Sequence, residues 1–174
     1  VCKGMLEFLT VQESCCHDAI VCTWALMYEQ PQKVLNQCQR LLKNGGYLYI
    51  LVNDQQTLPQ IRKNYPQLLI EYVGSINKLM FDLPMPNNAQ QLERWAKKAG
   101  LKNCRVTSKK QEFYFTDWNR AAKFVTSTGA LAGYDAMLDL KNEKIFNSLV
   151  EQLQKFFTKP CITHHFVMGI FKKG

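Results

Sequence analysis

Apolar residues in this chain follow two rhythms, and the rhythms outline its elements. His17 to Trp24 (HDAIVCTW) is a short, continuous apolar run rich in Ile and Val. Such a run predicts a strand buried on both faces. In Pro31 to Lys43, apolar Val34, Leu35, Cys38, Leu41 and Leu42 recur at steps of three and four. That spacing predicts an amphipathic helix, with Pro31 in its first turn. Asn44-Gly45-Gly46 is expected to stop it, because glycine adopts the left-handed conformation that caps helix ends. Tyr47 to Val52 (YLYILV) reads as a second buried strand. Strand, helix, turn and strand form a βαβ unit, so the two strands should run parallel with a right-handed crossover.

Gln55 to Asn88 is less regular and holds Pro59, Pro66, Pro84 and Pro86, with a short helix predicted over Leu58 to Asn64. Ala89 to Ala99 reads as a helix with Leu92, Trp95, Ala96 and Ala99 on its apolar face and Gly100 as its stop. Cys104 to Phe115 reads as a strand, Asp117 to Ser127 and Glu143 to Phe157 as helices, and Ile162 to Lys172 as a final strand. The two late strands are placed to pair antiparallel, since a helical excursion separates them. No internal repeat and no low-complexity linker interrupts the sequence, so residues 1–174 read as one α/β domain.

Composition adds limits. Hydrophobic residues are 47% of the chain, too many for a disordered segment. The net charge of +8 comes from 22 Lys and Arg against 14 Asp and Glu. The cations are scattered (Lys43, Arg62, Lys78, Lys97, Lys98, Lys109, Lys110, Lys172, Lys173), which describes a solvated basic surface and argues against a nucleic-acid groove. Lys43 to Tyr49 faintly resembles a basic-aromatic RNA-binding strand, but the preceding helix and the missing aromatic partner strand argue against that role. The apolar runs are too short to span a bilayer, and no signal-peptide layout is present. Seven cysteines, an odd number without a Cys-x-x-Cys pair, point to a reduced, cytoplasmic protein without a zinc site. Cys22, Cys104 and Cys161 lie in apolar runs, where a thiol acts as a small hydrophobe. His164 and His165 are adjacent in a strand, face opposite sides and cannot chelate one metal together. Asn53-Asp54 ends the second strand, either as a turn, which is the commoner case, or as a substrate contact.

The order of these pieces carries a resemblance. HDAIVCTWALMYEQPQKVLNQCQRLLKNGGYLYILV resembles the fourth strand, following helix and fifth strand of class I S-adenosylmethionine-dependent methyltransferases. Asp18 stands at the aspartate that opens the family's fourth strand, and Tyr28 at the aromatic that follows it. Leu41-Leu42-Lys43-Asn44-Gly45-Gly46 stands at the Leu-Leu-Lys-Pro-Gly-Gly turn, with Asn44 in place of proline. LERWAKKAGLKNCRV is similar to the helix and turn before the sixth strand, and HHFVMGIFKK to the closing seventh strand. Within the class, Thr23 to Tyr28 and Phe124 to Leu138 (FVTSTGALAGYDAML) resemble the small-molecule carboxyl methyltransferases of the trans-aconitate, malonyl-carrier-protein and juvenile-hormone-acid group. Ala132 stands where the trans-aconitate enzymes tend to have arginine, and His164-His165 fall near another arginine position, which argues against a tricarboxylate substrate.

The resemblance implies a partial methyltransferase sheet with strands in the family's 4-5-7-6 order and a helical insertion. It implies S-adenosylmethionine as cofactor and a small-molecule acceptor, with Met5, Leu6, Thr23 and Trp24 on the cofactor and Tyr28, Trp118 and Tyr134 on the substrate. VCKGMLEFL is similar to the segment after the family's third strand, but Met5 replaces the aspartate that accepts from the adenine amino group. No Gly-x-Gly-x-Gly loop occurs here, so these residues correspond to the C-terminal part of such an enzyme and are not expected to be active alone. The alternative is a non-catalytic interaction module derived from the same fold. Without the family's first strand, residues 19–24 become a sheet edge, to be completed by an upstream segment or by a second copy in a homodimer.

Overall fold

The computed structural model describes residues 4–77, 83–128, 131 and 134–174. The described elements are, in chain order, α1 (Met5–Thr10), β1 (His17–Thr23), a 3-10 turn (Leu26–Tyr28), α2 (Pro31–Leu41), β2 (Leu42–Asn53), α3 (Pro59–Glu71), a second 3-10 turn (Val73–Ser75), α4 (Ala89–Lys98), β3 (Leu101–Tyr114), α5 (Trp118–Ser127), α6 (Tyr134–Met137), α7 (Glu143–Phe156) and β4 (Cys161–Lys173). The strands order as β1-β2-β4-β3. β1 pairs parallel with β2, and β2 antiparallel with β4. This is the 4-5-7-6 arrangement that the resemblance implies.

The chain divides into two compact units. The first comprises Val1–Thr57, Pro84–Lys110 and His165–Gly174; the second comprises Leu58–Leu83 and Gln111–His164.

In the first unit, one face of the sheet is packed. Leu48, Ile50 and Val52 of β2 and Val167 and Phe171 of β4 are buried with Val34, Leu35, Cys38 and Leu41 of α2 and Leu92 and Ala96 of α4. The opposite face shows Val21, Tyr47, Tyr49 and Met168, each at least 37% exposed. The expectation that β1 is buried on both sides is therefore corrected. Only Cys22 of this strand is buried, because no helix among the described residues packs on its second face and no strand pairs with its outer edge.

The junction between α2 and β2 also differs from expectation. The helix ends at Leu41, and Leu42 already pairs with His17. The next pair is Ala19 with Tyr47, so residues 43–46 bulge out of the ladder. Gly45 has the left-handed φ of 81°, but it serves this bulge and not a helix cap. A Cβ on Gly46 would stand 2.9 Å from the carbonyl oxygens of Asp18 and Lys43, so only glycine fits. The end of α2 is capped instead by a buried cation. Lys173 Nζ donates to Leu42 O at 2.8 Å and approaches Arg40 O at 3.5 Å. Such donors satisfy the carbonyls left open at a helix C-terminus. Arg40 fastens α1 alongside, donating to Leu9 O at 2.8 Å and Gln12 O at 2.9 Å.

The second unit is built on α3, α5 and α7, whose Ile61, Tyr65, Leu68, Ala121, Val125, Leu149 and Leu153 form its core. The helix expected over Leu58 to Asn64 continues to Glu71 through Pro66. Pro66 removes one backbone donor inside the helix, but the buried Tyr65 and Leu68 on either side of it hold the helical course. Asn142 and Asp117 cap α7 and α5 through side-chain oxygens, at 3.0 Å to Lys144 N and 2.8 Å to Arg120 N.

Candidate active site

Open α/β sheets bind ligands beyond the carboxyl ends of their parallel strands. Here those ends are Thr23 of β1 and Asn53 of β2. After Thr23 the chain turns sharply: Trp24 takes a left-handed φ of 55° while its N–H donates to Leu51 O at 2.7 Å. A non-glycine residue in that region costs about 1–3 kcal/mol, and such strain gathers at functional turns. The turn leaves the Trp24 indole 38% exposed, edge-on to Phe166 at 5.8 Å. The following 3-10 turn buries Leu26 and Met27 and leaves Tyr28 exposed.

The end of β2 is polar and closely tied. Thr57 Oγ1 donates to Asn53 Oδ1 at 3.4 Å and accepts from His165 N at 3.3 Å. Asp54 N donates to His165 O at 3.2 Å, and Asp54 Oδ1 accepts from Gln56 N at 2.8 Å. Both Asn53 and Asp54 are buried. Of the two readings the sequence left open for this pair, these bonds describe the turn.

Beside β1 runs a groove of about 420 Å3, walled by Met5, Phe8 and Leu9 of α1, Ala19, Val21 and Thr23 of β1, and the apolar face of α2. Among the described residues, no Asp, Glu, Lys or Arg lines it. Cys22 and Cys38 also border it, and burial pushes both thiols up. Cys38 reaches about 12, with the neighbouring Cys22 as a second cause. The groove is thus largely apolar, with Gln12, His17 and Thr23 as polar lining, and its two thiols are held in the neutral form by burial.

The structure brings Met5 and Thr23 to one groove. Leu6 is half-buried on the same helix without lining it. Trp24 and Tyr28 stand at the strand end just described. Trp118 and Tyr134 belong to the second unit. Trp118, expected to cap the substrate, is instead a core residue. It is 5% exposed, and its indole N–H donates to Phe157 O at 3.2 Å. The cause is local: Trp118 opens α5 on the same buried face as Ala121, Ala122 and Val125. Tyr134 is half-buried, edge-on to Tyr65 at 4.7 Å, and the Tyr65 hydroxyl donates to Tyr134 O. Burial raises the Tyr134 phenol, partly offset by Arg62. Ala132, in the segment 124–138 that carries the insertion's resemblance, lies outside the described residues.

His164 is half-buried, with its ring edge-on to Phe113 at 5.8 Å, and burial pulls its pKa down. Among the described residues, no three His, Cys, Asp or Glu side chains gather as a metal site, and no helix is long and apolar enough to cross a membrane. Cys104, expected inside an apolar strand, is exposed, because β3 lies at the sheet's other edge. Sequence patterns passed over Phe166 and Thr57, since pairing across more than a hundred residues brings them to the strand ends.

Residues 3–50 match the family model of the methyltransferase domain. No curated protein matches the chain. Among solved structures, a Bacillus halodurans protein assigned as a methyltransferase is 15% identical, with a TM-score of 0.51, over 94% of this chain and 67% of its own. A Galdieria sulphuraria protein assigned as a sarcosine dimethylglycine methyltransferase is 15% identical, with a TM-score of 0.46, over 96% of this chain and 57% of its own. The geranyl diphosphate C-methyltransferase of Streptomyces coelicolor is 13% identical, with a TM-score of 0.46, over 100% of this chain and 52% of its own. The chain thus spans between about half and two thirds of the length of these proteins, and shares the methyltransferase fold with the Bacillus protein.

Proposed function

We propose that these residues form the later part of one S-adenosylmethionine-dependent methyltransferase domain that acts on a small-molecule acceptor. The observation that carries this reading is the parallel β1–β2 pair. Its C-terminal end presents Thr23 and the strained Trp24 beside an apolar groove, within the segment that matches the methyltransferase family.

The groove fits the cofactor in part. Met5, Phe8 and Leu9 offer an apolar wall for a heteroaromatic base, and the Thr23 hydroxyl can accept from or donate to a polar edge. Met5 offers no strong acceptor for an exocyclic amine, and among the described residues no carboxylate lines the groove to meet ribose hydroxyls. No Gly-x-Gly-x-Gly loop, of the kind that lets the backbone approach a cofactor closely, occurs in these 174 residues.

Bound S-adenosylmethionine supplies an electrophilic methyl group. Trp24 and Phe166 wall the strand end, exclude water and orient the acceptor, with Tyr28 at the outer rim. The acceptor we favour is a carboxylate, on the likeness of Thr23 to Tyr28 to the carboxyl methyltransferases. A carboxylate is already ionised near neutral pH, so no base is required. That agrees with a strand end whose Asp54 is engaged in a turn.

Calorimetric titration with S-adenosylhomocysteine tests the reading, followed by transfer of labelled methyl to a panel of carboxylic acids. Met5→Asp restores an amine acceptor and should tighten binding about tenfold, the worth of one hydrogen bond to a charged group. Lack of cofactor binding by the intact gene product would reject the enzyme reading. It would favour the second one, an interaction module, which Met5 and the uncharged groove support. The outer edge of β1 invites another strand; sedimentation of the chain as a dimer would assign that strand to a second copy.

A further inference from the structure

The buried ammonium that caps α2 has a second neighbour: Lys173 Nζ lies 3.5 Å from Cys15 Sγ. Both partners are held in place. Lys173 is 9% exposed, and its Nζ is fixed by Leu42 O at 2.8 Å. Cys15 has a left-handed φ of 54°, and its N–H donates to Arg40 O at 3.0 Å; the next N–H, of Cys16, donates to Leu41 O at 2.9 Å. The Cys15 residue is nevertheless exposed, so a small oxidant reaches the sulfur while the amine waits on its inner side.

We propose that Cys15 and Lys173 form an oxidative cross-link, a sulfenamide, when a hydroperoxide reaches Cys15. In the first step hydrogen peroxide oxidises the thiol to a sulfenic acid: the O–O bond breaks, sulfur gives up two electrons and one water leaves. Lys173 releases a proton to solvent, and its nitrogen lone pair attacks the sulfur. The S–O bond breaks, and the departing hydroxide takes a proton from the nitrogen. The sum is thiol plus ammonium plus peroxide giving an S–N bond, two waters and a proton.

The competing product, a disulfide between adjacent Cys15 and Cys16, is disfavoured by geometry. Consecutive Cα atoms stand about 3.8 Å apart, below the roughly 4.4–6.8 Å that disulfides span. Cys16 Sγ is also turned to Glu13 O at 2.9 Å. The cross-link would tie the segment before β1 to the last residues of β4, independently of any cofactor.

The test uses the full chain treated with a slight excess of hydrogen peroxide and mapped by peptide mass spectrometry without reductant. The expected product joins the Cys15 peptide to the Lys173 peptide. It is lighter by two hydrogen atoms than its parts, is reversed by dithiothreitol, and is lost when the chain is unfolded in urea before oxidation. Cys15→Ser and Lys173→Arg should abolish it, and Cys16→Ser should leave it intact. Should Lys173→Arg fail to fold, the exposed Cys15→Ser variant decides. Recovery of Cys15 as a sulfinic or sulfonic acid, or paired with Cys16, with Lys173 unmodified, overturns the proposal. So does an equal yield from the unfolded chain.

Discussion

Gly46→Ala probes the bulge on which the first unit turns. The substituted Cβ would meet two carbonyl oxygens at 2.9 Å, of Asp18 and of Lys43, with a Leu42 methyl at 3.2 Å. Contacts under about 3.0 Å are relieved only by moving an atom, and both oxygens are backbone. Moving Asp18 shifts β1 against β2 between the His17 and Ala19 pairs. Moving Lys43 disturbs the carbonyls that Lys173 caps. Overpacking costs about 1–3 kcal/mol, and because the two closest atoms are backbone oxygens this site falls near the upper end, about 3 kcal/mol. A domain of this size loses roughly 2–4 °C of melting temperature per kcal/mol, so thermal unfolding by circular dichroism should fall by about 6–12 °C. Gly74→Ala is the control, since its Cβ meets nothing within 4 Å. It should leave the midpoint unchanged or raise it slightly, because alanine restricts the unfolded chain. A Gly46→Ala midpoint equal to that of Gly74→Ala would refute the bulge as drawn.

Three other expectations follow from single sites. His164 should titrate below its ordinary value of about 6.5 by NMR, because burial penalises its charged form. Its contribution to stability is full above that value and declines as the pH falls toward the folded pKa; a ring titrating at or above the ordinary value would contradict the packing on Phe113. Brief iodoacetamide treatment at mild alkaline pH should label Cys16 and Cys104 and spare Cys38, whose thiol is pushed up to about 12 by burial; early Cys38 labelling, read by mass spectrometry, would show that the groove opens to solvent. Asn88→Ala removes the oxygen that accepts from Gln91 N at 3.0 Å and should cost about 1 kcal/mol in urea unfolding, whereas Asn87→Ala should cost far less, since only its backbone bonds to Gln91.

The parts of this fold that could be read in the sequence are those set by local chemistry. Pro31 and the three-and-four spacing up to Leu41 fix α2; Asn88 and Gly100 bracket α4; Asp117 announces α5. What was not legible depends on distant partners. β2 begins at Leu42 because His17 pairs with it, and α3 runs past Pro66 because the second unit's core needs Tyr65 and Leu68. The exposure of Val21 depends on what lies against a sheet face, which an Ile- and Val-rich run does not reveal. At the candidate site, the placement of Thr23 and Trp24 at the strand end was legible because the apolar run stops there. The burial of Trp118 was not legible, because an aromatic at a helix start reads alike whether it faces a ligand or a core. Lys173 was read as one of several scattered surface cations, and only the end of α2 makes it a buried cap.

The position of β2 has a bearing on biosynthesis. Its parallel partner β1 is made about one helix earlier, but its antiparallel partner β4 starts at Cys161, more than a hundred residues after Asn53. At roughly 5–20 residues per second, the central strand leaves the ribosome on the order of 10 s before the strand that closes its free side. During that interval the apolar row Leu48, Ile50 and Val52 stands beside an unpaired edge, and the intervening second unit must be made first. A nascent chain paused before β4 therefore keeps this edge open, and slow codons placed there would lengthen its exposure.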